Sequence, residues 1–152
     1  MSRTILLDAG PLGLLVQRSG IDAADQCRSW ARERLLQGDQ LFVPEIADYE
    51  VRRELLRLDL SNAIERLDGF NHATSGRYLP LTTPTMRRAA QLWADLVRRR
   101  GFPTADRHAL DADEIIAAQA MTLTDTGAEV IVTSTNTIHL ERLVRSAQWN
   151  QI

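Results

Sequence analysis

Three short runs, "ILL" at 5–7, "LFV" at 41–43 and "VIV" at 130–132, are apolar at every position. Such a run has no wet face, so it fits a strand covered on both sides. Between the runs the apolar residues recur at helical spacing. Residues 22–37 read as an amphipathic helix ending near Gly38. Pro44 stands at the start of a helix over 45–58, where its missing N–H is tolerated, and Ala47, Val51, Leu55 and Leu58 form its stripe. A helix is expected from about 60 to Phe70, then a loop through Asn71, Ser75 and Gly76, a third strand over Tyr78–Leu81 and a helix over 83–100. Gly101–Arg107 reads as an exposed loop, a further helix begins near Asp111, and Glu129–Thr133 is a strand. Strands separated by helices imply the α/β class, a central parallel sheet flanked by helices.

A chain of 152 residues suits one domain, 1–152, with a core large enough to need no staples. No apolar run approaches the roughly 20 residues that span a bilayer. The start lacks a signal peptide's basic-then-apolar pattern, because Asp8 interrupts the first run, so the expected location is cytoplasmic. Cys27 is the only cysteine, which excludes an internal disulfide and a cysteine-built zinc site; its helical-spaced neighbours Ala23, Ala24, Trp30 and Ala31 mark it as a core residue. All 18 basic residues are arginine and the net charge is −2. Any contact with nucleic acid must then come from local patches.

The carboxylates carry the functional signal. Asp8 ends the first buried strand, and ligands of parallel sheets bind beyond the carboxyl ends of the strands. A helix cap is the other reading of Asp8. Glu50, in "IADYEVRREL", flanks the buried stripe of its helix; a surface pairing with Arg53 is its other reading. In "LDADEIIAAQA", Asp111 and Glu114 have capping-box spacing, leaving Asp113 free in the first turn, while Ala117, Ala118 and Ala120 let the helix approach the sheet. Acids brought together this way repel one another and raise their own pKa values unless a cation neutralises them. Hard oxygen donors suit Mg2+ or Mn2+, whereas His72, His108 and His139 have no zinc-pair spacing. The hydroxyls of Thr133, Ser134 and Thr135 are placed to hold an acid or a phosphate.

The segments "ILLDAGPL", "IADYEVRREL", "LDADEIIAAQA" and "VIVTSTNTIHLERL", in this order, resemble PIN-domain ribonucleases, and the length resembles that of the VapC-like toxins of type II toxin-antitoxin systems. The resemblance covers nearly the whole chain. It implies a three-layer fold and a Mg2+- or Mn2+-dependent ribonuclease whose acids fall on Asp8, Glu50 and Asp113. It also implies an RNA substrate, an antitoxin protein partner and a homodimer. Where many members carry a fourth Asp, this chain has Asn136, a neutral oxygen ligand; Asp111 is a candidate to compensate.

Arg52, Arg53 and Arg57, on the Glu50 helix, are placed to meet RNA phosphates, whereas Arg98, Arg99 and Arg100 suit a helix C-terminus. A haloacid-dehalogenase-type phosphatase also begins from a strand-end Asp, but it needs a second Asp where this chain has Gly10. The remaining alternative is a PIN-like module that binds RNA or protein without cleaving.

Overall fold

The structure is a computed structural model that describes residues 2–100 and 107–152. Side chains of residues 100 and 107–110 also fall outside that description, as does the loop expected at 101–107 apart from its last residue. The elements run β1 (Thr4–Leu7), α1 (Ala9–Val16), α2 (Asp22–Leu36), β2 (Gln40–Pro44), α3 (Glu45–Arg57), α4 (Ser61–His72), β3 (Tyr78–Leu79), α5 (Thr83–Arg100), α6 (Arg107–Thr124), β4 (Val130–Thr133) and β5 (Ser146–Ala147). Among the described residues these strands form one five-stranded parallel sheet in the order β3-β2-β1-β4-β5. This is the expected α/β fold, with helices over both faces. No helix among the described residues is long and apolar enough to cross a membrane.

The period-2 geometry of strands divides β1 between two cores. Ile5 and Leu7 point to one face, where they pack with Leu12, Cys27, Val51 and Leu67 from α1 to α4. Leu6 points to the other, against Ile116 and Ala120 of α6 and Val132 of β4. Because both faces are covered, all four β1 residues are buried, and this explains the lack of alternation in the sequence. Ala117, Ala118 and Ala120 are likewise buried where α6 lies on the sheet, and α5 packs on α6. Cys27 is sealed against Pro11 O, and burial pushes its thiol up to about 12, so it is a packing residue.

Several boundaries differ from the sequence reading. β3 stops at Leu79 because Pro80 follows and has no N–H for a ladder. α4 runs on to His72, and Asn71 is buried there by a hydrogen bond from its Nδ2 to Asp48 Oδ2 at 2.8 Å. α6 begins at Arg107, four residues before Asp111. The capping-box reading of Asp111 and Glu114 is therefore corrected: both lie inside the helix, where backbone donors already have partners. β5 was not anticipated, since "SA" carries no strand pattern; it is held only by register with Val132 and Thr133.

The sheet order reverses at β1, with β2 on one side and β4, reached much later in the chain, on the other. The crevice above the ends of β1 and β4 is the expected ligand position in an open parallel sheet. Asp8 and Ser134 follow those two strands directly.

Candidate active site

Asp8 is the helix cap of the second reading and also stands at the crevice that the first reading requires. Its backbone N donates to Thr133 O at 2.9 Å, continuing the β1–β4 ladder by one residue. Its side chain then caps α1, with Oδ1 accepting from Ala9 N at 2.8 Å. The second oxygen, Oδ2, accepts from Ser134 Oγ at 2.6 Å, a charge-assisted bond. A buried hydroxyl thus fixes the rotamer of an acid at the head of the crevice. Ser134 also ties its own loop together: Asn136 N donates to its Oγ at 3.1 Å. The loop lies so close to α1 that a Cβ on Gly10 would sit inside the van der Waals surface of Thr135 Oγ1. Only glycine fits there.

Glu50 comes from the second turn of α3. Burial, first, and then the charge of Asp8 push its carboxyl up, while Arg53 pulls the other way. Asp113 comes from α6. Burial pushes its carboxyl up to about 7, with further contributions from Asp8, Glu114 and Glu50 in that order. Three acids from three separate elements therefore act on one another through space. None of them forms an ion pair among the described residues.

A set of carboxylate oxygens carrying uncompensated charge has the donor chemistry that Mg2+ or Mn2+ prefers. The donors fit such an ion in kind. In space the cluster is open: among the described residues, no three His, Cys, Asp or Glu side chains are drawn close enough to enclose a metal. His72 stays on exposed α4, with Nδ1 2.7 Å from Asp68 O.

The remaining expected residues do not join the three acids. Asp111 is exposed, and its charge acts on Glu114 rather than on Asp113. Asn136 is exposed, and its Oδ1 accepts from Ile138 N at 3.3 Å, a local bond that shapes the loop after β4. Arg52 is committed to the fold: Nε and Nη2 grip both oxygens of Asp48 at 2.9 and 3.0 Å, and Nη2 also reaches Asp68 at 2.6 Å. Arg57 pairs with Glu54 on the surface. Arg53 alone of the three makes no ion pair among the described residues; its guanidinium lies over the Tyr49 ring, 5.3 Å from the centroid.

Two features went unread in the sequence. Glu114 is 1% exposed, and no other described residue donates a hydrogen bond to either carboxyl oxygen. It lies between α5 and α6, beside a cavity of about 180 Å3, and burial pushes its carboxyl up to about 7. The spacing that suggested a cap gave no sign of this. The second feature is a groove of about 840 Å3 between α1, α3 and α4, with Val16, Val51, Leu55 and Leu60 among its apolar walls and Glu50 at its edge.

No protein-family model matches the sequence, and no curated protein matches it. In structure the chain is similar to a chain of VapBC-1 from nontypeable Haemophilus influenzae. The TM-score is 0.61 at 16% identity, covering 97% of this chain and 98% of that one. At that identity the likeness extends to the fold.

Proposed function

We propose that the chain is a Mg2+- or Mn2+-dependent ribonuclease and the toxin member of a toxin-antitoxin pair. The observation that supports this reading is that Asp8, Glu50 and Asp113, from separate parts of the chain, lie near enough for the charge of Asp8 to raise the carboxyl pKa of Glu50 and for both to raise that of Asp113, with none of them in an ion pair among the described residues. The VapBC-like fold supports it. Asp8, Glu50 and Asp113 would hold the ion, with Asn136 and Asp111 as the further ligands to be tested. When bound, the ion supplies charge neutralisation for a phosphate oxygen and makes water more acidic. Ser134 keeps Asp8 in one orientation. Without an ion, burial and the neighbouring charges of Asp8, Glu114 and Glu50 hold the Asp113 carboxyl up to about 7, so binding the ion there would release a proton from it. An antitoxin protein and a homodimer belong to the same reading, and a partner seated in the α1–α3–α4 groove reaches the edge of Glu50.

The test is cleavage of RNA by the purified chain with Mg2+ or Mn2+ and with EDTA. Asp8→Asn, Glu50→Gln and Asp113→Asn should each abolish the metal-dependent products while the far-ultraviolet circular dichroism is kept. Wild-type cleavage by all three overturns the assignment. The openness of the acid cluster favours one second reading, a module that binds RNA or protein without cleavage. RNA binding with no cleavage under any divalent ion selects it.

A further inference from the structure

One exposed side chain of α3, next in sequence to Glu50, is left without a task by the nuclease reading. Tyr49 immediately precedes Glu50 and is 56% exposed, although a tyrosine ring is normally at least half covered by packing. Its nearest cation is Arg53, one turn on, whose guanidinium lies over the ring. Arg53 is also close enough to Glu50 to pull its carboxyl pKa down. Arg53 thus lies over the Tyr49 ring and also acts on the charge of half-buried Glu50. Arg52 and Arg57 are occupied by Asp48, Asp68 and Glu54, which leaves Arg53 as the arginine of this helix whose charge is available.

An exposed aromatic ring beside an available guanidinium is the arrangement on which unpaired bases stack, with the cation meeting the neighbouring phosphate. From it we infer that Tyr49 is a substrate-binding residue: its ring stacks an unpaired nucleobase of the RNA strand, and Arg53 meets the adjoining phosphate. The inference rests on the ribonuclease reading and names how a single strand is held there. It accounts for an exposed tyrosine and for an unpaired arginine with one ligand. Leu56 lies on the same outward stripe and is 62% exposed, so the competing occupant of this face is a protein.

The experiment measures binding of a fluorescein-labelled single-stranded RNA to the full chain in EDTA, where no cleavage occurs, by anisotropy over a range of salt concentrations. Tyr49→Ala should weaken binding roughly tenfold and Tyr49→Phe by less than about twofold, because the loss is of a stacking surface. A stacking contact releases no counterions, so the salt slope of Tyr49→Ala should match the wild type, while Arg53→Ala should flatten it by about one. An RNA with one abasic position at the stacked site should bind wild type and Tyr49→Ala equally. Equal binding of intact RNA by wild type and Tyr49→Ala overturns the inference, as does a loss that persists with every abasic position. So does a change confined to self-association in sedimentation. Metal-dependent cleavage by the wild type, measured in parallel, shows whether the ribonuclease reading survives such a result. A wild type that neither binds nor cleaves removes both.

Discussion

Glu114→Gln should make the protein more stable above neutral pH and leave it nearly unchanged at pH 5. The carboxyl is 1% exposed, accepts no hydrogen bond from any other described residue, and sits at about 7 in the folded chain against 4.5 in the unfolded one. The folded state therefore binds this proton more tightly than the unfolded state does. A raised carboxyl pKa leaves stability intact below pH 4.5 and removes it progressively up to about 7. At roughly 1.4 kcal/mol per pH unit, ionising Glu114 costs the folded state about 3 kcal/mol by pH 8. For a chain of this size that is on the order of 10 °C in the melting temperature. Glutamine keeps the shape and never ionises, so it escapes this loss. The amide meets the same surroundings as the protonated acid, which is why the two should agree within about 1 kcal/mol at pH 5. Asp113 loses stability over an overlapping window, so the wild type should still decline with pH after the Glu114 contribution is subtracted. Urea unfolding of both proteins at half-unit steps from pH 5 to 8, in EDTA, measures the difference. Parallel curves would refute the reasoning, since they would mean that Glu114 titrates alike in the folded and unfolded chains.

Ser134→Ala should lower stability by about 1–2 kcal/mol, because it removes the donor to Asp8 Oδ2, whereas Thr133→Val, whose buried hydroxyl has no partner, should be neutral within about 0.5 kcal/mol; paired chemical denaturation distinguishes them. Arg52→Ala should destabilise by about 1–3 kcal/mol, since it leaves the buried Asp48 carboxylate with Asn71 but without its cation, while Arg57→Ala on the exposed pair with Glu54 should change less than about 0.5 kcal/mol. A thermal melt that places the two variants together would contradict the structural role given to Arg52. Mn2+ at a hundredfold excess over its dissociation constant should stabilise the wild type by about 2.7 kcal/mol at pH 8 and by less at pH 6, where protons compete for Asp113. In Asp113→Asn that gain should largely disappear, and an equal gain would detach Asp113 from the ion.

The parts of the fold that were legible in the sequence are those set by continuous physical patterns. "ILL" and "VIV" announce strands because both faces of those strands are covered, and the stripe of Ala47, Val51 and Leu55 announces α3 because one side of it meets the sheet. The ends were harder. The start of α6 moved from Asp111 to Arg107 because a helix interior tolerates the spacing of a capping box without using it. β5 exists through register with its neighbour rather than through its own residues, so no local pattern could mark it.

The same distinction separates the residues of the site. Asp8 and Glu50 could be selected because one ends a buried strand and the other flanks a buried stripe, whereas Asp113 stands out as a first-turn acid and through the motif resemblance, and it lies about two turns inside α6. What each side chain does there depends on partners far away in the chain. Ser134 acts on Asp8 across 126 positions, and Arg52 was drawn to Asp68 on the next helix rather than toward a phosphate. Helical spacing put Arg52, Arg53 and Arg57 in one group; only packing separates the arginine that holds the fold from the one free to meet a ligand. Glu114 makes the same case from the opposite direction. One residue beyond Asp113, it reads from the sequence as the second half of a capping box, yet the 100° step of a helix turns it under α5. A chain that keeps a buried carboxyl there sacrifices stability at neutral pH. It does so beside Asp113, whose carboxyl pKa its charge helps to raise.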